Sequence, residues 1–506
     1  MNSLVEKVRK FMKSEGISYL LVNSTNRYLE EYTPLDENSR YFLTGFSGST
    51  GDALVTENDI YLFVDGRYHI QADLEVDHDI VKVVKLQNGQ TFLDELAGKI
   101  PDGEVLGIFS KKNSQKRVEY LKLKGIKLKY LDNDFISKES VTDNENVIKV
   151  DGVSVEDKIK NLNYDGAVLI TNLEEVSYLF NLRDFSNNYE SKIKGKAVII
   201  SDRARLLDEI DDFVESYDGY IYVDKSTINA YDFALVGGKA KYLDDSPIKL
   251  MKSVKTDDEI EHYKDAFRRT DLAVRAIREY IENNDNISEY DVAEQLEKEF
   301  KRFGAKSLSF KSIVAKDKNS ALAHYSKCSK DEIIKDGSLV LIDCGSYYEQ
   351  GLATDITRVF VKGKPSELQK RVYTTVLKMF LHAYNSNLNV GYDIDALARQ
   401  IYSQNLIDGF VFNHGLGHGI GISVHEYPPN LSKNEIAKVE IKDNMCFTIE
   451  PGLYNENHFG VRLENSCYMK NGKIHSFVHM NYERKLIDFS LLTEQEKLWL
   501  KEFEVI

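Results

Sequence analysis

At 506 residues, with 42% hydrophobic and 29% charged side chains, the chain is long enough for two or three globular domains, and its composition excludes both disorder and membrane spanning. A net charge of −15 sets an average field that repels phosphate backbones and anionic lipids, so neither nucleic acid nor membrane is an expected partner. The four cysteines include no C-x-x-C pair, which excludes a disulfide framework and a cysteine–zinc site and suits a reducing compartment. No apolar run approaches the ~20 residues of a membrane helix. The opening MNSLVEKVRKFMKSEG is broken by charges, unlike a secretory signal, and the expected location is the cytoplasm.

In chain order, residues 4–12 (LVEKVRKFM) have helical apolar spacing and precede a strand-like SYLLV at 18–22. The glycine-rich GFSGSTG at 45–51 lacks the lysine of a phosphate-binding loop and is expected to be a tight turn between strands. Residues 132–152 are polar and weakly patterned, as a linker would be. Residues 153–171 then repeat the helix-to-strand order of the start, followed by a second helical pattern in EEVSYLFNL. Both stretches fit an α/β layer. Near 244–258 a proline and then acidic residues announce a helix, and helical patterns cover 258–283 and 288–303.

Beyond them the chain presents carboxylates where apolar residues belong. SLVLIDCG (338–345) reads as a buried strand ending in Asp343, with LATDITRVFV (352–361) as its hairpin partner and Asp355 in mid-strand. NMCFTIEPGLY (444–454) carries Glu450. Its partner, FGVRLENSCYM (459–469), carries Glu464 two residues after Arg462, on one face of the strand. Ionised carboxylates in buried strands are costly without compensating cations, and four in two hairpins favour a metal site over isolated salt bridges. Three of the 11 histidines, His414, His418 and His425, fall in HGLGHGIGISVH between the two hairpins. Its glycines make a helix poor, so a glycine-rich loop or extended strand is expected there.

The order Asp343, Asp355, His418, Glu450, Glu464, in the segments LIDCG, TDITRVF, HGLGHGIG, TIEPGLY and GVRLEN, resembles the ligand signature of the pita-bread metallopeptidases (family M24). That group includes methionine aminopeptidase, prolidase and Xaa-Pro aminopeptidase. SRYFLTGFSGSTG (39–51), FVDGRYHIQAD (63–73) and LEEVSYLFNLRDFS (173–186) resemble the front of the three-domain form of Xaa-Pro aminopeptidase. The resemblance implies an α/β and α+β fold: two creatinase-like α/β domains, at 1–133 and 134–248, and a pita-bread catalytic domain at 249–506. The spacing between the two aspartates is one residue longer than usual, which implies an enlarged turn at 346–351. The middle domain and the tail are shorter than in larger relatives.

The resemblance also implies roles. Asp355 and Glu464 would bridge two divalent metals, Asp343 would complete one shell, and His418 and Glu450 the other. Manganese is the expected metal, with cobalt or zinc as alternatives. A hydroxide between the metals would be the nucleophile, with Glu450 shuttling its proton. His324 and His425 would meet the substrate or its tetrahedral intermediate, His414 would line the pocket, Arg462 would orient a ligand carboxylate, and Phe310 would wall the proline ring. The expected activity is removal of an N-terminal residue from peptides with proline second, by a homodimer. Prolidase, which acts on dipeptides, is the alternative, and a non-catalytic pita-bread binding module is a more distant one.

Overall fold

The computed structural model describes residues 2–87, 90–140 and 144–503. Residues 141–143 of the expected linker, and the last three residues of the tail, lie outside that description. The chain forms two compact units: Met1–Asp143, Ser154–Val176 and Lys194–Pro247 make one, and Asn144–Val153, Ser177–Ile193 and Ile248–Ile506 the other.

The first unit contains two open sheets of matching connectivity. Tyr19–Val22 pairs antiparallel with Ala53–Val55, which pairs antiparallel with Ile60–Val64. On its other side it runs parallel to Val105–Phe109, and that strand parallel to Lys127–Leu131. In the second sheet Ala167–Ile170 takes the central place. Lys196–Ile200 and Arg203–Leu207 follow antiparallel on one side, and Ile221–Asp224 and Ala240–Leu243 parallel on the other. The echo between residues 4–22 and 153–171 is therefore an echo of topology. The first sheet adds Val81–Lys85 at its edge. The central strand of the second sheet is buried throughout and that of the first from Leu20 to Val22, as expected where helices cover both faces of parallel pairs. GFSGSTG does not join two strands: Gly45 caps the helix Ser39–Thr44 in the left-handed conformation (φ 77°), and the run leads from that helix into Ala53–Val55.

The second unit opens with a short strand that the polar composition of 132–152 concealed: Val147–Lys149 pairs with Leu182–Asp184. The helix Asp257–Asn283 begins at a capping box, Thr256 with Glu259, and buries a stripe including Ile260, Tyr263, Phe267, Val274 and Ile277. Glu289–Arg302 starts the same way, at Ser288 and Asp291. Two further helices, Glu367–Tyr384 and Gly391–Gln404, pack on the apolar core. That core underlies a three-stranded sheet, Ile313–Lys316, Leu339–Cys344 and Ile356–Val361. It also underlies a five-stranded sheet, in spatial order Glu426–Leu431, Gly417–Gly419, Cys446–Ile449, Asn465–Lys470 and Lys473–Ser476. The tail helix Glu494–Leu500 lays Trp499 edge-on against His382, with ring centroids 5.1 Å apart.

Candidate metal centre

The carboxylates sit where strands are interrupted. Asp343 lies within Leu339–Cys344, but its partner strand begins at Ile356, so Asp355 precedes the ladder and is not in mid-strand. Glu450 falls between Cys446–Ile449 and Gly452–Tyr454, and Pro451 has no N–H to continue the ladder. Opposite, Glu464 falls between Gly460–Arg462 and Asn465–Lys470. Arg462 and Glu464 thus do not share one face of a continuous strand. Thr357 joins them instead, accepting from Arg462 Nε at 3.2 Å and donating to Glu464 Oε2 at 2.7 Å. An interruption frees a side chain from the alternation of the pleat and re-aims it, as bulges do beside functional sites.

His418 lies in the expected extended glycine segment. A Cβ on Gly417 would fall 2.0 Å from the Thr448 carbonyl oxygen, so only glycine lets Gly417–Gly419 lie against the neighbouring strand. His418 Nδ1 lies 3.0 Å from the Gly419 carbonyl and donates to it, so in the neutral ring the lone pair is on Nε2. That nitrogen is 3.4 Å from Glu450 Oε1 and 3.6 Å from Asp355 Oδ2. Ligand atoms of Asp355, His418 and Glu464 all lie within 4.8 Å of one another.

The donor set fits divalent cations on two grounds. Asp343 Oδ1, Asp355 Oδ1 and Glu464 Oε1 are buried and accept no hydrogen bond. An orphaned carboxylate oxygen costs free energy that only a cation or a donor recovers. Within the cluster, four carboxylates face one guanidinium, Arg462, which donates to Asp343 Oδ2 at 2.5 Å. Burial first, and the charges of the neighbouring carboxylates second, push the Asp355 and Glu464 carboxyls well above the usual range.

Of the remaining predicted residues, His414 and His425 are joined to this centre by contacts. His414 Nδ1 donates to its neighbour's carbonyl at 2.7 Å, and its Nε2 accepts from Tyr454 Oη at 2.9 Å. Tyr454 in turn accepts from Arg462 Nη1 at 2.8 Å, so a polar chain runs from Asp343 through Arg462 and Tyr454 to His414. The His425 ring lies 4.2 Å from that of His418, edge to face. Phe310 is half-buried and follows Ser309, whose backbone and hydroxyl bond the carbonyls of Gly345 and Thr354. His324 is half-buried in a turn; four residues earlier, Ser320 Oγ accepts from Gly460 N at 2.8 Å.

Sequence reading missed Thr357, Tyr454 and Glu426. Glu426 directly follows His425 and is buried against Lys252 (3.0 Å) and Lys255 (3.3 Å), while its Oε1 accepts from Ile422 N at 2.6 Å. Burial alone would raise its carboxyl, but the two lysine charges outweigh that and hold it at about 2. A depressed carboxyl stabilises the fold above its ordinary value near 4.5, and that contribution is lost as pH falls toward 2. Glu426→Gln is expected to cost about 3–5 kcal/mol at pH 7, because it strands two buried ammonium groups. The loss should shrink steadily below pH 4.5 in urea titrations, and a pH-independent loss would rule out the ionic cause.

Residues 261–471 match the family model for metallopeptidase family M24, and residues 5–136 that for the Creatinase/Prolidase N-terminal domain. Xaa-Pro aminopeptidase 1 of Dictyostelium discoideum is 29% identical over 99% of this chain and 91% of its own. A probable Xaa-Pro aminopeptidase P of Coprinopsis cinerea is 28% identical over 98% and 93%. Among solved structures, the X-prolyl aminopeptidase of Caenorhabditis elegans, a cytosolic enzyme with a di-nuclear active site, superposes with a TM-score of 0.87. It covers 96% of this chain and 90% of that one, and at 22% identity it establishes the shared fold.

Proposed function

We propose, from the matches of residues 261–471 to metallopeptidase family M24 and of residues 5–136 to the Creatinase/Prolidase N-terminal domain, that the chain is an Xaa-Pro aminopeptidase using two divalent ions. The observation that carries this reading is the set of buried, hydrogen-bond-free oxygens of Asp343, Asp355 and Glu464, together with the grouping of ligand atoms of Asp355, His418 and Glu464 within 4.8 Å of one another. In this reading Asp343, Asp355, His418, Glu450 and Glu464 would hold the metals, with Asp355 and Glu464 serving both. Bound there, the ions would acidify the attacking water and polarise the scissile carbonyl. Arg462 fixes the orientation of Asp343, and Thr357 that of Glu464, so each keeps its other oxygen for a cation.

Glu450 holds the proton that leaves the attacking water and passes it to the proline nitrogen as the Xaa–Pro C–N bond breaks. His324 and His425 steady the oxyanion, His414 lines the pocket, and Phe310 supplies an apolar wall for the proline ring. Proline has no amide hydrogen to bind and a fixed φ, so ring shape is what such a site recognises. The reading retains manganese as the metal, three domains at 1–133, 134–248 and 249–506, a cytoplasmic location and a homodimer. Among the described residues no helix is long and apolar enough to cross a membrane.

A peptide panel followed by mass spectrometry tests the substrate. Xaa-Pro-Yaa tripeptides and longer Arg-Pro-Pro peptides should lose their first residue. Replacing the second-position proline by alanine should lower kcat/KM by about 10–200-fold, the range over which one apolar pocket discriminates. Hydrolysis confined to Xaa-Pro dipeptides would move the assignment to prolidase. Elemental analysis of the same sample checks manganese, and sedimentation checks for two 58.0 kDa copies.

A further inference from the structure

His324 lies outside regular structure, in a half-buried turn, yet a group that meets an oxyanion must be held closely. Its segment leaves the strand Ile313–Lys316, makes the 3-10 turn Asp317–Ala321 and continues past residue 329. Four donors from that segment converge on one side chain, Glu289, at the first turn of the helix Glu289–Arg302. Lys316 N at 2.6 Å and Asn319 Nδ2 at 2.9 Å donate to Oε1. Ser329 N at 3.0 Å and Tyr325 Oη at 2.7 Å donate to Oε2, the single hydroxyl proton of Tyr325 being shared with the Lys327 carbonyl. Glu289 is 0% exposed, and two donors on each oxygen fill its accepting capacity. Its place in the first helical turn favours the negative charge. Burial first, then the bond to Glu289, raises the Tyr325 hydroxyl above its usual range, so it remains a donor.

The opposite side of the segment is tied to the strands of the metal centre. Asp317 Oδ1 accepts from Leu339 N at 2.8 Å, at the head of the strand that carries Asp343. Ser320 Oγ accepts from Gly460 N, at the head of the strand that ends in Arg462. The donors to Glu289 stand on both sides of His324, and Tyr325 is its immediate neighbour. We propose that Glu289 is a positioning residue: its buried carboxylate gathers residues 316–329 and fixes His324 against the strands that carry the carboxylate cluster. The proposal rests on the reading of His324 as a group that meets the substrate.

Glu289→Ala should lower kcat about 10–100-fold with KM little changed, since a displacement near 1 Å costs on that order. Glu289→Gln, which keeps an acceptor, should lose less, and Tyr325→Phe, which removes one donor, less again. Amide exchange across 316–329 should quicken in the same order, while bound metal stays at the wild-type level. In a His324→Ala background Glu289→Ala should add little, because both changes act on one group. Unchanged exchange in Glu289→Gln and Tyr325→Phe would overturn the anchoring role whatever the activity. An undiminished kcat effect in the His324→Ala background would overturn its action through His324. A fully active His324→Ala enzyme would overturn the underlying role of His324, and is distinguished by leaving the exchange result intact.

Discussion

Asp355→Asn and Glu464→Gln are expected to abolish hydrolysis while leaving the metal-free protein as stable as the wild type, or more so. Losing a residue that only supports a metal ligand typically costs about 10–100-fold in affinity or activity. Losing a ligand shared by both ions should exceed that. The stability half of the expectation follows from the sign of the pKa shifts. Burial and the neighbouring carboxylates hold both carboxyls well above their ordinary range. A raised carboxyl gives stability that is present at acid pH, when it is protonated, and is lost as pH rises through its folded value. The neutral amides remove that penalty, and the amide oxygen introduced by Glu464→Gln can still accept from Thr357. Thermal unfolding after chelation should favour the variants near pH 7, with the gap closing toward pH 4. Destabilised metal-free variants would mean that these carboxylates hold the fold together instead of holding cations. Wild-type turnover in either variant would remove the residue from the metal centre.

The sequence made the centre readable because its motifs are short, ordered and chemically odd. A buried apolar strand ending in Asp343, and three histidines among glycines, announce themselves without a structure. What periodicity does not register is interruption. Asp355, Glu450 and Glu464 all lie beside or between strand segments, and only Pro451 hints at a break. The supporting carboxylates were hidden for a different reason. Glu289 stands where an acidic residue ordinarily complements a helix N-terminus, and Glu426 enters a strand directly behind His425. Each side chain's role is set by donors distant in sequence, Lys252 and Lys255 for Glu426, and Asn319 and Tyr325 for Glu289. The same limit applies to the two sheets of the first unit. The helix-to-strand echo is visible in the apolar spacing, without a residue-level repeat, whereas the shared strand order emerges only from the pairing.

His425→Ala and His324→Ala are expected to lower kcat by about 10²–10³-fold, the loss that follows removal of one preorganised oxyanion donor. The group that could hold a metal ion among the described residues, Asp355, His418 and Glu464, includes neither histidine. His418 already commits Nδ1 to Gly419 and keeps Nε2 near Asp355 and Glu450, whereas His425 meets it ring edge to ring face at 4.2 Å. The next residue, Glu426, is locked by Lys252, Lys255 and the Ile422 amide, so the backbone that carries His425 stays in place when its imidazole is removed. The variant should therefore fold and bind metal normally, with the loss confined to the chemical step. Equal falls in kcat and kcat/KM, with full metal content, would identify an interaction made only in the transition state. A rise in KM alone would make His425 a binding group for the ground-state peptide. Loss of metal from either variant would make that histidine a ligand, and the division between holding the cations and meeting the substrate would have to be redrawn.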